Sequence, residues 1–187
     1  MTRTTTAARS IVKDSIGLPF TLFRAVDALD YANAGVMTNE DAPDETTTTG
    51  MAALLQAGML EGAQVSLLFS RPGLSLTYVW FKSGYALPRH SHSADCAYFI
   101  IAGSLRMGDE ELGPGDGFFI GTDVPYAYVP GAAGVEVLEI RTSNLFDFKA
   151  LVGSATWYEN AARRTGAALD RWQAETTPPS GMVVGRN

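Results

Sequence analysis

Cysteine and histidine are scarce in this sequence, and their scarcity excludes several classes of protein. Of the 187 residues, one is cysteine and two are histidine. A single cysteine rules out a disulfide within the chain and a cysteine-rich zinc module. Acidic residues outnumber basic ones by 20 to 14, which gives a net charge of −6. Because binding to nucleic acid needs a basic face, we expect no nucleic-acid partner.

Long hydrophobic runs are also lacking. No apolar run approaches the ~20 residues that span a bilayer, so we expect no membrane partner and a cytoplasmic location. Met1–Ser10 contains no hydrophobic signal-peptide stretch. Arg3, Arg9 and Lys13 precede the first acid, Asp14, a composition faintly like an organelle transit peptide. A frayed terminus is the favoured interpretation.

The composition changes along the chain and predicts four segments. They are an N-terminal helical arm with an acidic, threonine-rich loop over residues 1–62, a β-barrel over 63–145, a C-terminal helix over 146–175 and a tail over 176–187. With 46% hydrophobic residues, the chain can bury a core.

The arm is predicted to be partly helical. The spacing of apolar residues favours a short helix from Ser10, a break at Gly17 and Pro19, and a second helix through Phe23, Val26 and Leu29. Thr38–Gly50 lacks large apolar residues and predicts a surface loop. Met51–Leu60 is compatible with a helix or with a strand and turn.

The middle segment is predicted to be all β. Apolar runs recur at short intervals, namely Val65–Phe69, Leu74–Phe81, Cys96–Ile101, Phe118–Ile120, Tyr126–Val129 and Val135–Ile140. Glycine, proline and aspartate separate them, including a predicted break at Pro130-Gly131. Such punctuation is typical of a sandwich or barrel. Ser154 or Thr156 can then cap a helix whose apolar face, including Ala161 and Trp172, should dock on the sheet.

The only two histidines, His90 and His92, lie two residues apart. Side chains at i and i+2 of a strand point to the same face, with Cβ atoms ~7 Å apart. Two imidazoles placed in this way can converge on one metal ion. The alternative is a pair of exposed histidines at a strand edge.

The stretch around these histidines resembles the first motif of the cupin superfamily. Gly84, His90, His92 and Gly103 stand at the spacing of that motif, whereas Cys96 occupies its glutamate position. The turn Gly113–Asp116 resembles the opening of the second cupin motif. In that motif, Tyr126 stands where the family expects its histidine. The resemblance covers about residues 64 to 142.

The resemblance implies a fold and a broad range of activities. The implied fold is an all-β core, a double-stranded β-helix or jelly-roll barrel, here with N-terminal and C-terminal helical arms. Cupins include dioxygenases, lyases, decarboxylases, isomerases and binding proteins, so the fold does not select the reaction. The implied cofactor is one divalent metal ion held by His90, His92 and Cys96. Fe²⁺ or Zn²⁺ is expected, with Mn, Ni or Cu as alternatives.

The third ligand is left open by the sequence. Cys96 shares the parity of the histidines and can face inward, although most free cysteines are core residues. Glu139 is favoured over Glu136 as the inward-facing acid of its strand, and would complete a two-His-one-carboxylate set. A salt bridge from Glu139 to Arg141 or Arg106 is the ordinary alternative. Tyr126 is a weaker ligand and better suited to donate a hydrogen bond.

A cluster of aromatic residues predicts a small-molecule pocket. The predicted catalytic residues are Tyr126, Tyr98 and Glu139, and the predicted substrate-binding residues are Tyr78, Trp80, Tyr128, Phe118 and Arg106. These aromatics share even parity within their strands, which is also typical of an ordinary core. Buried tyrosines need hydrogen-bond partners, and a ligand cavity is one source of them.

Two hypotheses of function follow. The first is a metal-dependent cupin enzyme that acts on a small organic molecule with dioxygenase-type or lyase-type chemistry. The second is a metal-free cupin that binds or senses a small molecule, or an isomerase, with His90 and His92 as hydrogen-bonding or acid–base groups. A homodimer completed by the arms is a further option.

Overall fold

The computed structural model of the protein describes residues 20–38 and 43–185. The strands in chain order are β1 (Leu29–Asp30), β2 (Met37–Thr38), β3 (Ala63–Arg71), β4 (Leu74–Phe81), β5 (His90–Ser91), β6 (Cys96–Met107), β7 (Glu110–Leu112), β8 (Gly117–Ile120), β9 (Val129–Arg141), β10 (Phe146–Asp147) and β11 (Lys149–Ala150). The helices are α1 (Tyr31–Ala34), α2 (Glu45–Gln56) and α3 (Ala155–Ala174), with 3-10 turns at Ala25–Asp27 and Met59–Gly62.

One antiparallel sheet forms the centre of the fold. Its strand order is β1-β3-β4-β9-β6-β7, and β8 also pairs with β6. Short two-stranded pairings join β10 to β2 and β11 to β5. The long strands β6 and β9 pair along most of their length, with register shifts between Ile100 and Ala102 and between Gly103 and Leu105. The predicted all-β core is therefore confirmed.

Gly103 shows why the chain needs a glycine in the middle of β6. Its φ of 73° lies in the left-handed region, which glycine adopts at little cost. A Cβ at this position would also overlap the carbonyl oxygen of Gly134 on β9. The glycine thus permits the bulged, close pairing of the two long strands.

Strand β4 is buried on both of its faces. On β4, Val79 and Phe81 belong to the inner core, together with Tyr98, Ile100 and Val137 from other strands. Because residues from β4, β6 and β9 meet in this cluster, the sheet wraps around it. Tyr78 and Trp80 alternate with the inner residues and form a second cluster on the outer face with Leu68 and Val184.

Two helices cover part of the inner core. Helix α3 begins at the N-cap Ser154, whose hydroxyl accepts a hydrogen bond from the backbone N–H of Trp157 at 3.2 Å, which confirms the predicted cap. The indole N–H of Trp172 donates to the carbonyl of Ser83 at 2.9 Å and ties α3 to the segment after β4. Tyr158 of α3 packs closely over Gly50 of α2.

Several predictions for the arm are wrong. The surface loop predicted over Thr38–Gly50 is helical from Glu45, because Asp44 caps α2 by accepting from the N–H of Thr47 at 2.7 Å. The helix predicted through Phe23, Val26 and Leu29 is replaced by a 3-10 turn and the short strand β1, which pairs with β3. The short helix predicted from Ser10 lies outside the described residues.

Two further differences concern the barrel and the segment after α3. The break predicted at Pro130-Gly131 lies inside β9, and Pro130 pairs with Leu105. Residues 176–185, predicted as a loose tail, lie against the outer face of the sheet. The amide of Gln64 donates to the carbonyl of Val184 at 2.7 Å, and Val184 is buried. None of the described helices is long and apolar enough to cross a membrane.

Candidate active site

The two histidines lie on and just after β5 and are both buried. Nδ1 of His90 is 2.8 Å from the carbonyl oxygen of Pro88, and Nδ1 of His92 is 2.6 Å from the carbonyl oxygen of Asp147. A carbonyl oxygen only accepts, so each Nδ1 carries the proton and each Nε2 carries a lone pair. The ring centres are 5.0 Å apart. The sequence prediction that the two imidazoles share one site is therefore matched by the structure.

Both imidazoles are held in the neutral form. Burial lowers the pKa of His90 to about 4 and that of His92 to about 3. The positive charge of Arg141 contributes to both of these shifts. At neutral pH the site therefore presents two uncharged bases to any ligand.

Two tyrosines link His90 to Arg141 through a chain of hydrogen bonds in which each group donates to the next. The hydroxyl of Tyr126 is 2.9 Å from Nε2 of His90 and must donate to it, because that nitrogen carries the lone pair. Tyr126 therefore accepts from the hydroxyl of Tyr98, with which it makes a short contact. The guanidinium of Arg141 reaches the oxygen of Tyr98 at 3.5 Å. The chain thus runs from Arg141 through Tyr98 and Tyr126 to His90.

Backbone pairing fixes this chain in place. The N–H and carbonyl groups of His90 exchange hydrogen bonds with those of Tyr126, at 3.0 and 2.9 Å. Tyr98 lies on β6 opposite Glu139 of β9, so its ring projects into the barrel beside that acid. Burial raises the pKa of both Tyr98 and Tyr126 well above the usual value. Both hydroxyls therefore keep their protons in the resting site.

An ion pair forms the opposite side of the site. The guanidinium of Arg141 donates to the carboxylate of Glu139 at 2.5 Å, and both side chains are buried. Burial lowers the pKa of Arg141, but the charge of Glu139 and the neighbouring Tyr98, Cys96 and Tyr31 together raise it well above its usual value, so the guanidinium stays ionised. Arg141 also lies over the ring of Phe146, 4.3 Å from its centre. The ordinary salt bridge considered for Glu139 is confirmed, with Arg141 as its partner.

Nε of Arg141 has no hydrogen-bond partner within the described part of the chain. Beside the ion pair, the buried hydroxyls of Tyr31 and Thr77 interact with each other, which by itself lowers the pKa of Tyr31. Thr77 is the register partner of Glu139, and the charges of Arg141 and Glu139 both act on the pKa of Tyr31, which burial raises. Polar atoms that the protein leaves unpaired can bind the polar groups of a ligand or water.

The aromatic walls are only partly those predicted. Phe118 stacks on Tyr98 at 4.4 Å, and Tyr128 lies 5.9 Å from Phe118. Phe148 of the segment between β10 and β11 stacks on His90 at 4.9 Å. Tyr31, Thr77, Phe146 and Phe148 were missed by sequence reasoning. They come from outside the motif, and no local pattern marks them.

Three residues predicted for the substrate site lie elsewhere. Tyr78 and Trp80 lie in the outer cluster, on the opposite face of the sheet from the histidines. Equal parity within a strand does not give equal facing between strands, because the register decides which residues lie side by side: Tyr78 pairs with Leu138, and Leu138 pairs with Phe99 and not with Tyr98. Arg106 lies on the exposed side of β6 and lines a separate pocket.

The donor set does not fit a divalent ion held by three protein ligands. Two imidazole nitrogens are available, but no group of three His, Cys, Asp or Glu side chains in the described ranges could hold a metal. Glu139 is bound to Arg141, and burial raises the pKa of Cys96 to about 12, so its thiol keeps its proton. The same guanidinium that lowers the histidine pKa values also repels a cation. The predicted metal and its ligation by Cys96 stay predictions that this geometry does not favour.

These observations agree with the cupin fold that the sequence resemblance implies. The histidines of the first motif are buried beside the core of the antiparallel sheet, where His90 contacts the core residue Tyr126, as the cupin resemblance predicts. Cupin-fold proteins are also what a search of solved structures returns.

Three of the similar structures illustrate the extent of the likeness. An RmlC-like cupin from Shewanella frigidimarina is 20% identical over 44% of this chain and 78% of that one, with a TM-score of 0.40. The polyketide cyclase RemF from Streptomyces resistomycificus is 21% identical over 58% of this chain and 84% of that one, with a TM-score of 0.46. The DMSP lyase DddQ from Ruegeria pomeroyi is 29% identical over 42% of each chain, with a TM-score of 0.38.

At these levels of similarity no activity of the three proteins carries over to this chain. No protein-family model matches the chain, and no curated protein sequence matches it significantly. The site therefore has to be judged on its own geometry.

Proposed function

We propose that this chain is a small-molecule cupin enzyme that moves protons without a metal, in an isomerase-type or lyase-type reaction. The observation that carries the proposal is the hydrogen-bond chain from Tyr98 through Tyr126 to Nε2 of His90. Such a chain places a proton donor and a proton acceptor next to each other in a buried site, which is the arrangement that general acid–base catalysis needs.

The pKa values favour transfer of protons in concert. Burial raises the pKa of Tyr126 and lowers that of His90 to about 4, so neither group ionises alone at neutral pH. The oxygen of Tyr126 can take a proton from an acidic C–H of the substrate while its own proton passes to Nε2 of His90. Because burial disfavours the imidazolium, the proton returns through Tyr126 to another atom of the substrate. No net proton is gained or lost, as isomerisation requires.

Arg141 and Tyr98 supply electrostatic support. Removing a proton next to a carbonyl group places negative charge on the carbonyl oxygen. The guanidinium of Arg141 is buried and fixed by Glu139, so it is oriented before the substrate arrives. The buried hydroxyls of Tyr31 and Thr77, which interact with each other, lie near that charge and offer further donors. The substrate class that fits is a small carbonyl compound with an acidic C–H bond.

The proposal is tested by exchange of substrate hydrogens in D₂O. A panel of small diketones and keto acids is incubated with the wild-type protein, with Tyr126→Phe and with Tyr158→Phe, and deuterium incorporation is followed by NMR. Tyr158 is a buried tyrosine of α3 that packs on α2, so its variant is the matched control. Loss of the proton relay should slow exchange by about 10²–10⁴-fold in Tyr126→Phe only.

Two results would contradict the proposal. One is exchange at the wild-type rate in Tyr126→Phe. The other is about one equivalent of bound metal in the purified protein that disappears in a His90→Ala/His92→Ala variant, which would restore the metal-dependent dioxygenase or lyase hypothesis. The homodimer and the cytoplasmic location stay predictions.

A further inference from the structure

A pocket lies between the barrel and helix α3, and neither histidine lines it. It has a volume of about 270 Å³, and its walls include Tyr85, Leu87, Arg106, Tyr128, Trp157 and Arg164. These residues come from the segment after β4, from β6, from the start of β9 and from α3. We call this site the arginine pocket. The proposed proton transfer does not use it.

The charge of the arginine pocket is opposite to that of the chain. The protein carries a net charge of −6, yet the pocket is lined by two arginines and by no acidic residue. Neither Arg106 nor Arg164 forms an ion pair within the described ranges. Glu111 is the register partner of Arg106 on β7, but it does not line the pocket.

The remaining walls are apolar and aromatic. Tyr85 and Tyr128 are buried, and Trp157 and Leu87 are half-buried. The volume is slightly below the range of about 300–1,000 Å³ of pockets that take drug-sized ligands. A ligand of one ring or a short chain is therefore the right size.

We infer that the arginine pocket binds a small organic anion with a planar apolar body, through its carboxylate or phosphate group. A guanidinium presents a planar fork of N–H donors that matches the oxygen atoms of these anions. Two such groups at one pocket neutralise the charge of the ligand, and the aromatic walls cover its apolar part. The inference does not depend on the proposed proton transfer.

Binding of benzoate, phenyl phosphate and benzamide to the full chain tests this inference. Ligand-observed NMR and thermal shift measure the affinity. Benzamide has the size and shape of benzoate but no charge. Benzoate and phenyl phosphate should bind saturably in the millimolar range, and benzamide about tenfold more weakly, because one charge-assisted contact contributes about 1.4 kcal/mol.

Two double variants with the same change in net charge provide the control. Arg106→Ala/Arg164→Ala removes both arginines of the pocket, and Arg71→Ala/Arg163→Ala removes two exposed arginines outside it. Binding of benzoate should fall at least tenfold in the first variant and change less than twofold in the second.

Three outcomes overturn the inference. They are equal binding of benzoate and benzamide, equal weakening in the two double variants, and no saturable binding of either anion. Binding of phenyl phosphate without binding of benzoate would retain the site and assign it to phosphate esters. The reverse result would assign it to carboxylates.

Discussion

Strand β9 buries one glutamate on each of its faces, and the two carboxylates are compensated in different ways. On the inner face Glu139 is paired with a cation, the guanidinium of Arg141 at 2.5 Å. On the outer face Glu136 has only uncharged donors, the hydroxyl of Tyr78 at 2.7 Å and the N–H and hydroxyl groups of Ser180 at 2.6 and 2.7 Å.

The two glutamates differ in role: Glu139 belongs to the candidate active site, whereas Glu136 anchors the segment 176–185 to the sheet. The inner pair is electrically neutral and lies beside the hydrogen-bond chain of Tyr98 and Tyr126, and Nε of Arg141 has no partner in the described part of the chain. Of the three donors to the outer carboxylate, the two from Ser180 hold the segment 176–185 on the sheet, and the hydroxyl of Tyr78 joins β9 to β4. Buried charge by itself therefore does not identify the candidate active face of this barrel, whereas the chain of hydrogen bonds from Tyr98 through Tyr126 to His90 does.

The inner pair should give the largest effect on stability. Arg141→Met leaves Glu139 buried without its cation, and the free energy of unfolding should fall by about 3–5 kcal/mol in urea denaturation. The double variant Glu139→Gln/Arg141→Met should be more stable than Arg141→Met, because no uncompensated charge remains. Losses that simply add in the double variant would show that the two side chains do not act as a pair.

Acid should destabilise the folded protein through the two buried histidines of the inner face. The unfolded imidazoles have a pKa near 6.5, and the folded pKa values are about 4 for His90 and about 3 for His92. As the pH falls through 6.5, the imidazoles become protonated in the unfolded chain but stay neutral in the folded one. The contribution of the histidines to the free energy of unfolding is therefore present above pH 6.5 and is lost as the pH falls toward 4. Between pH 6.5 and 5 the loss should be about 2 kcal/mol per histidine.

Variants on the two faces sharpen this test. His90→Gln/His92→Gln should flatten the dependence of the unfolding free energy on pH between 6.5 and 5. Glu136→Gln should lower the whole curve and keep its slope. A slope that survives loss of both histidines would assign the acid sensitivity to other groups.

The outer carboxylate should give a smaller effect than the inner pair. Glu136→Gln keeps one acceptor oxygen but puts an amide group where Ser180 donates, which should cost about 2–3 kcal/mol. Glu110→Gln on β7 is the matched control, because Glu110 is exposed and its substitution should change stability by less than about 0.5 kcal/mol. Equal effects of the two variants would remove Glu136 as an anchor of the fold.

The smallest effect is expected at Ser180. Ser180→Ala removes one of the three donors to Glu136 and should lower stability by about 1 kcal/mol. It should also speed proteolytic cleavage within residues 176–185, because the segment would leave the sheet more often. The pH slope of the inner face should stay unchanged, and a change there would mean that the two faces are coupled.

Much of the barrel could be predicted from the sequence. The run Leu74–Phe81 has the bounds of β4, since alternation and a flanking Pro-Gly turn are local signals. The location of His90 and His92 on the same face and the inward facing of Glu139 also follow from the alternation of side chains along a strand. These properties depend on neighbours within a few residues, so the sequence alone contains them.

The rest depends on contacts between distant segments. The outward facing of Tyr78 and Trp80 depends on how β4 is phased against β6, which parity within one strand does not give. The first part of α2, up to Gly50, was missed because its threonines are weak helix formers, although the N-cap Asp44 was a usable signal; the helical alternative for the segment from Met51 agrees with α2 as far as Gln56. The burial of Glu136 comes from residues 176–185, whose composition resembles that of a free tail.

The hydrogen bonds from Ser180 to Glu136 can form only late in the synthesis of the chain. Ser180 leaves the ribosome 44 residues after Glu136, and Val184 follows Gln64 by 120. Until those residues emerge, the carboxylate on the outer face lacks two of its three donors, and the aromatic side chains of β4 on that face lack the cover that Val184 provides. The nascent chain therefore passes through a stage in which the inside of the barrel can close while its outside stays open to chaperones and to aggregation.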